Sequence, residues 1–132
     1  MTTYKLITRW FVLAGVLSAG PLLAGCNLEP SVPGSPTYTA DVQPILEARC
    51  VRCHSDPQLA SATPGVRFDV YECPTVDGGA SCAGAKTVAP LIKMRLQQPN
   101  DDVFHMPPKP AAPLSPYQVD TVVKWVDNGA PE

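Results

Sequence analysis

The residues with the most definite chemistry in this chain are two cysteines and a histidine, in the order Cys50-Val51-Arg52-Cys53-His54. Two thiols at this spacing, with a histidine directly behind them, form the covalent attachment site of a c-type haem. Each thiol adds across a haem vinyl group, and the imidazole then faces the iron. We therefore predict one covalently bound haem c, with thioethers at Cys50 and Cys53 and with His54 as an axial ligand.

Two other sites use similar residues. One is a zinc site made from two cysteines and two histidines, and the other is a disulfide redox pair. The redox pair needs a βαβ context that this chain lacks, and zinc leaves the segment Met106-Pro107-Pro108 without a role. The haem site is therefore the preferred interpretation.

The second axial position of the iron must be filled from elsewhere in the chain. We predict Met106 as this ligand, because Pro107 and Pro108 fix the backbone φ angle beside it. Two competitors are present. Met94 occurs in an apolar helical segment, where methionine usually fills the core. His105 adjoins Met106, and an imidazole also binds iron well.

The first cysteine, Cys26, ends an export signal. Lys5 and Arg9 form its basic part, the apolar run of residues 10–23 is too short for a confident membrane span, and the ending Leu-Ala-Gly-Cys resembles the lipobox of bacterial lipoproteins. That resemblance implies cleavage before Cys26 and a lipid on its sulfur. An ordinary signal peptide or an uncleaved anchor is the alternative. Asn27 stands where aspartate would resemble an inner-membrane retention signal, which favours the outer membrane.

The remaining cysteines, Cys73 and Cys82, are separated by eight residues that are rich in turn formers. Export places them in an oxidising compartment, where disulfides form and persist. We predict a disulfide between them. Two reduced, buried thiols are the alternative.

We predict a signal peptide over residues 1–25, a lipidated and proline-rich tether over 26–37, and one small haem-binding domain over 38–132. Cleavage leaves 107 of the 132 residues, with 8 basic and 12 acidic side chains and a net charge of −4. A second folded domain does not fit in this length. No basic patch indicates a nucleic-acid partner.

The clearest helix signal covers residues 116–127. Ser115 is a good N-cap, and Gln118 completes a capping box with it. Leu114 and Val119 have the spacing of a hydrophobic staple, and Asn128-Gly129 is a stop signal. The apolar stripe of this helix consists of Val119, Val122, Val123 and Val126.

Two further helices are predicted. The first has Asp41 as its N-cap and Pro44 in its first turn, and it ends at the haem cysteines. The other covers residues 90–97. Residues 55–89 between them are irregular, and only residues 66–71 alternate like a strand. The expected fold is all-α, with three or more helices and long irregular loops wrapped around one covalently attached haem.

In this order, the motifs resemble the class I monohaem cytochromes c, and more closely the bacterial planctomycete-type cytochrome c domains. The resemblance implies thioethers at Cys50 and Cys53, iron ligation by His54 and Met106, and a first helix packed on the last, with Ile45 and Trp125 in the core. The chain departs from the pattern over residues 72–85, a cysteine-bearing insertion. The matching segments are Asp41-Val42-Gln43-Pro44-Ile45-Leu46, the haem motif, Val66-Arg67-Phe68-Asp69, Met106-Pro107-Pro108, Leu114-Ser115 and Trp125-Val126-Asp127-Asn128-Gly129-Ala130.

The expected function is electron transfer at the periplasmic face of a membrane, and not enzymatic catalysis. The partners are a redox protein that donates one electron and another that accepts it, with the membrane bound through the N-terminal lipid. One alternative is a haem-based gas sensor or peroxidase in which Met106 is a labile ligand. Another is the cytochrome subunit of a larger oxidoreductase, which has the same chemistry.

Overall fold

The computed structural model describes residues 30–57, 64–76 and 78–132. The predicted signal peptide, Cys26 and the start of the predicted tether lie outside these ranges. Within them, no helix has both the length and the hydropathy that crossing a membrane requires.

The described residues form an all-α fold, as the sequence predicts, with one very short hairpin that the sequence does not predict. A π-helical turn leads directly into helix α1, and two-residue strands β1 and β2 pair antiparallel. Helices α2 and α3 follow. The elements are the π-helical turn Tyr38–Val42, α1 Gln43–Arg49, β1 Thr75–Val76, β2 Gly79–Ala80, α2 Ala89–Leu96 and α3 Pro116–Asp127.

The first helical segment begins earlier than predicted, and its N-cap is Thr37 instead of Asp41. The Thr37 hydroxyl accepts a hydrogen bond from Ala40 N at 3.3 Å, and Thr37 N donates to the Asp41 carboxylate at 2.8 Å. Asp41 therefore satisfies the N–H of the capping residue, which is the reciprocal half of a capping box. Pro44 lies in the first turn of α1, where its missing N–H costs little.

Helix α3 has the predicted limits because both of its ends are capped locally. Gln118 N donates to Ser115 Oγ at 3.3 Å, and Ser115 N donates to Gln118 Oε1 at 3.0 Å, which completes the predicted capping box. At the other end Gly129 has φ +85°, and Ala130 N donates to Trp125 O at 2.9 Å. This is a Schellman-type ending, in which glycine adopts the left-handed conformation without strain.

The core lies where α3 packs against the π-helical turn and α2. Trp125 is completely buried and Ile45 nearly so, as predicted. The ring of Tyr38 lies between the rings of Tyr71 and Trp125, with centroid distances of 5.2 and 6.1 Å. The carbonyl of Pro131 accepts hydrogen bonds from Tyr38 N at 2.9 Å and from Trp125 Nε1 at 2.7 Å.

The strand predicted over residues 66–71 is wrong, because only Val66 forms a bridge, with Ala83. The bridge does not extend into a β-ladder, because Phe68 N donates to His54 O at 2.8 Å and not to the segment that contains Ala83. The two segments stay close at Gly84, where a Cβ atom would lie 2.6 Å from Tyr71 O. Only glycine permits this approach.

Candidate haem-attachment site

The motif of residues 50–54 forms a tight turn at the end of α1. Cys50 is the C-cap of that helix, and Cys50 N donates to Leu46 O at 2.7 Å. The carbonyl of Cys50 then accepts from Cys53 N at 3.0 Å and from His54 N at 2.9 Å. One backbone turn therefore carries both thiols and the imidazole.

The thiols of Cys50 and Cys53 are not joined to each other, whereas Cys73 and Cys82 form the predicted disulfide, with their Cα atoms 5.5 Å apart. Cys50 packs against the core. Burial raises the pKa of the Cys50 thiol to about 12, with the neighbouring Cys53 adding to the effect and Arg49 opposing it. A raised pKa favours the protonated form of this thiol over the thiolate.

The imidazole of His54 packs on the phenyl ring of Phe68, with the ring centroids 4.6 Å apart. Phe68 is held in turn by Tyr38, whose hydroxyl donates to Phe68 O at 3.0 Å. His54 Nδ1 is buried and has no hydrogen-bond partner among the described residues. Burial lowers the pKa of His54, which favours the neutral ring. A neutral imidazole is the form that binds iron.

Met106 and His105 lie on a loop after α2. Met106 N donates to Arg95 O at 3.2 Å, and His105 Nδ1 lies 2.8 Å from Gln98 O. Both side chains line a cavity of about 450 Å³ whose other walls include Leu96 and Leu114. Cys50, Cys53 and His54 do not line this cavity. The structure thus places both thiols with His54 on one turn, and His105 with Met106 at one cavity, but it does not join His54 and Met106 in one cavity.

Met94 does not fill the core, contrary to its expected packing role, because its side chain is 45% exposed. Helix α2 is apolar on more than one face. It turns Ala89, Ile92 and Leu96 to the core and leaves Leu91 and Met94 outside.

Exposed apolar side chains continue beyond α2. Val103 and Phe104, which are also exposed, precede Met106 in the chain, and the Arg95 guanidinium lies 4.8 Å from the centre of the Phe104 ring. We call Leu91, Met94, Val103 and Phe104 the apolar surface.

The types of ligand and attachment atoms among the described residues suit a covalently attached haem. Two unpaired thiols and an imidazole with a lowered pKa share one turn, and a thioether lies on a separate loop. No group of three or more histidine, cysteine or acidic side chains suited to a metal ion occurs in the described part of the chain. A haem iron needs only two ligands from the protein, because the porphyrin supplies the others.

Two contacts of the site are not predicted by the sequence. Phe68 is recognisable as part of a motif. Its packing on His54, however, depends on the path of residues 66–71, where the sequence predicts a strand. Gln98 acts through its backbone carbonyl, and a carbonyl leaves no signature in the sequence.

Comparisons with protein-family models, with curated proteins and with solved structures find no match for this chain. The resemblance to class I cytochromes c therefore remains a prediction from its motifs. The functional argument depends on the residues and their geometry.

Proposed function

We propose that this chain is a monohaem c-type cytochrome, lipid-anchored at the periplasmic face of a bacterial membrane, preferably the outer membrane. It transfers single electrons between redox proteins. The observation that carries this proposal is that the four described cysteines differ in their pairing. Cys73 and Cys82 are joined to each other, and Cys50 and Cys53 stay unpaired on the turn that presents His54.

In this proposal each residue of the site has a separate task. Cys50 and Cys53 attach the haem, and His54 and Met106 hold its iron. Phe68 keeps the imidazole of His54 in one orientation and excludes water from one side of it. When bound, the haem supplies one-electron redox chemistry.

The apolar surface supports the same function. Four large apolar side chains lie exposed on α2 and on the loop that leads to Met106. Exposed apolar area of this kind commonly marks a binding surface. These side chains are therefore available for contact with a redox partner, which an electron carrier needs.

A gas sensor or peroxidase with a labile Met106 needs a polar group close to the open iron position. His105 is the histidine next to Met106, but its Nδ1 is engaged with Gln98 O, which ties the ring to the loop. This arrangement favours an electron carrier, either free or as a subunit of a larger oxidoreductase.

Expression with a cytochrome c maturation system tests the proposal. The wild-type protein is expected to give a band on a denaturing gel stained for haem peroxidase activity, and the double variant Cys50→Ser, Cys53→Ser is expected to give none. The matched control is Cys73→Ser with Cys82→Ser, which removes two other cysteines and should keep the stain. A colourless wild-type band contradicts the proposal.

Carbon monoxide separates a carrier from a sensor. The reduced wild-type protein is expected to keep its spectrum when carbon monoxide is added, because both axial positions are filled. A rapid and complete spectral change would favour the sensor or peroxidase instead.

A further inference from the structure

The loop that carries Met106 has its own internal hydrogen bonds. Asp102 N donates to Pro99 O at 2.9 Å, and His105 N donates to Asp102 O at 3.1 Å. The carboxylate of Asp102 also accepts from Phe104 N at 2.7 Å, which is an Asx-type turn. These bonds shape the loop, but none of them ties it to the helix before it.

Two other hydrogen bonds close the base of the loop. Met106 N donates to Arg95 O at 3.2 Å, and the His105 ring approaches Gln98 O at 2.8 Å through Nδ1. A carbonyl oxygen only accepts, so Nδ1 carries the proton and donates. The imidazole therefore connects the residue next to Met106 with the chain that leaves α2.

The two nitrogens of His105 have unequal surroundings. The residue is only 9% exposed, and Nε2 has no partner among the residues described. A buried acceptor without a partner costs about 1 to 3 kcal/mol. The ring therefore stabilises the loop through Nδ1. The bond from Nδ1 to Gln98 O is the only hydrogen bond that the His105 ring makes with the described residues.

We propose that His105 is a positioning residue that fixes Met106 for the iron through the hydrogen bond from Nδ1 to Gln98 O. This inference rests on the proposed function. A thioether is a weak, uncharged ligand, so its binding depends on a backbone that is already held in place. Hydrogen bonds behind a metal ligand commonly have this effect.

Substitutions can distinguish which nitrogen matters. The amide nitrogen of asparagine reaches about as far as Nδ1, and that of glutamine about as far as Nε2. In the haem-loaded protein, His105→Asn is expected to keep the methionine-to-iron absorption band at the red end of the oxidised spectrum and the reduction potential. His105→Gln and His105→Phe are expected to weaken or abolish the band, to lower the potential and to let carbon monoxide bind.

The control is Gln97→Ala, an exposed side chain just before the loop, which should change none of these properties. Denaturant unfolding of each holoprotein shows that the spectra belong to folded material. If His105→Phe fails to fold, the asparagine and glutamine variants still decide the question, because both retain a polar side chain.

Several results would overturn the inference. If all three variants keep the band and the potential, His105 only fills space. If His105→Asn loses the methionine-to-iron band as His105→Gln does, the hydrogen bond from Nδ1 is not what positions Met106. If Met106→Ala leaves the spectrum unchanged while His105→Phe alters it, His105 is itself the ligand. A haem-free wild-type protein would remove the proposed function as well, and the stain detects that case separately.

Discussion

The imidazole of His54 and the phenyl ring of Phe68 are in contact, tilted by 40° with their centroids 4.6 Å apart. The two residues are also joined through the backbone, since Phe68 N donates to His54 O at 2.8 Å. Phe68 thus packs on the side chain of the candidate iron ligand and also holds its backbone through a hydrogen bond.

Phe68→Ala is expected to destabilise the holoprotein by about 2 kcal/mol, less than the 3 to 5 kcal/mol of a fully buried phenylalanine, because Phe68 is only half-buried. The potential should fall as water reaches His54. Urea unfolding and redox titration measure the two effects. Phe104→Ala, an exposed ring, is the control and should stay within about 0.5 kcal/mol. Equal losses in both variants would contradict the supporting role of Phe68.

Met106→Ala is expected to open the iron of the reduced protein to carbon monoxide, and Met106→His to keep two axial ligands while lowering the potential. Met94→Leu is the matched control. Its side chain is exposed, so it should keep the spectrum and cost no more than about 0.5 kcal/mol of stability. Loss of the methionine-to-iron band in Met94→Leu, but not in Met106→Ala, would move the ligand to α2.

Removing the disulfide with Cys73→Ser and Cys82→Ser is expected to lower the free energy of unfolding by at most about 3 kcal/mol, because the bridge closes a short loop. The haem spectrum should stay unchanged. Thr75→Ala, an exposed side chain in the same loop, is the control. A double variant that binds no haem would mean that the disulfide helps to form the site.

Ser115→Ala is expected to cost about 1 kcal/mol of stability, because the N-cap hydrogen bond to Gln118 N is lost. Gln118→Ala removes the reciprocal bond to Ser115 N. A double-mutant cycle of unfolding free energies should give a coupling of at least about 0.5 kcal/mol. Strict additivity would indicate that the two bonds act independently.

Acid should weaken the loop that carries Phe68. The hydrogen bond from Arg67 lowers the pKa of Asp69, although its burial acts in the opposite direction. A carboxyl with a lowered folded pKa stabilises the fold above its unfolded pKa, about 3.9, and this contribution is lost as the pH falls through the folded value. Asp69→Asn should therefore unfold with a smaller pH dependence between about pH 5 and 2. An unchanged dependence would contradict this.

Elements governed by local signals agree with the sequence. Helix α3 has its predicted limits because Ser115, Gln118 and Gly129 determine its ends within a few residues. The pairing of Cys73 with Cys82 is likewise predicted from the short, turn-rich segment between them.

Features governed by distant contacts could not be predicted. The apolar pattern of α2 does not say which face is buried, and Met94 consequently lies outside. Thr37 and Asp41 are both good capping residues, and the choice between them depends on where the turn packs. The contact of Phe68 with His54 and the bond from His105 to Gln98 depend on how separate segments meet.

The packing of Tyr38 on Trp125 joins the two ends of the described chain. This contact closes a long loop, and the entropic cost of that closure slows the formation of such non-local contacts. The π-helical turn therefore gains the tertiary support of α3 only once that helix has docked.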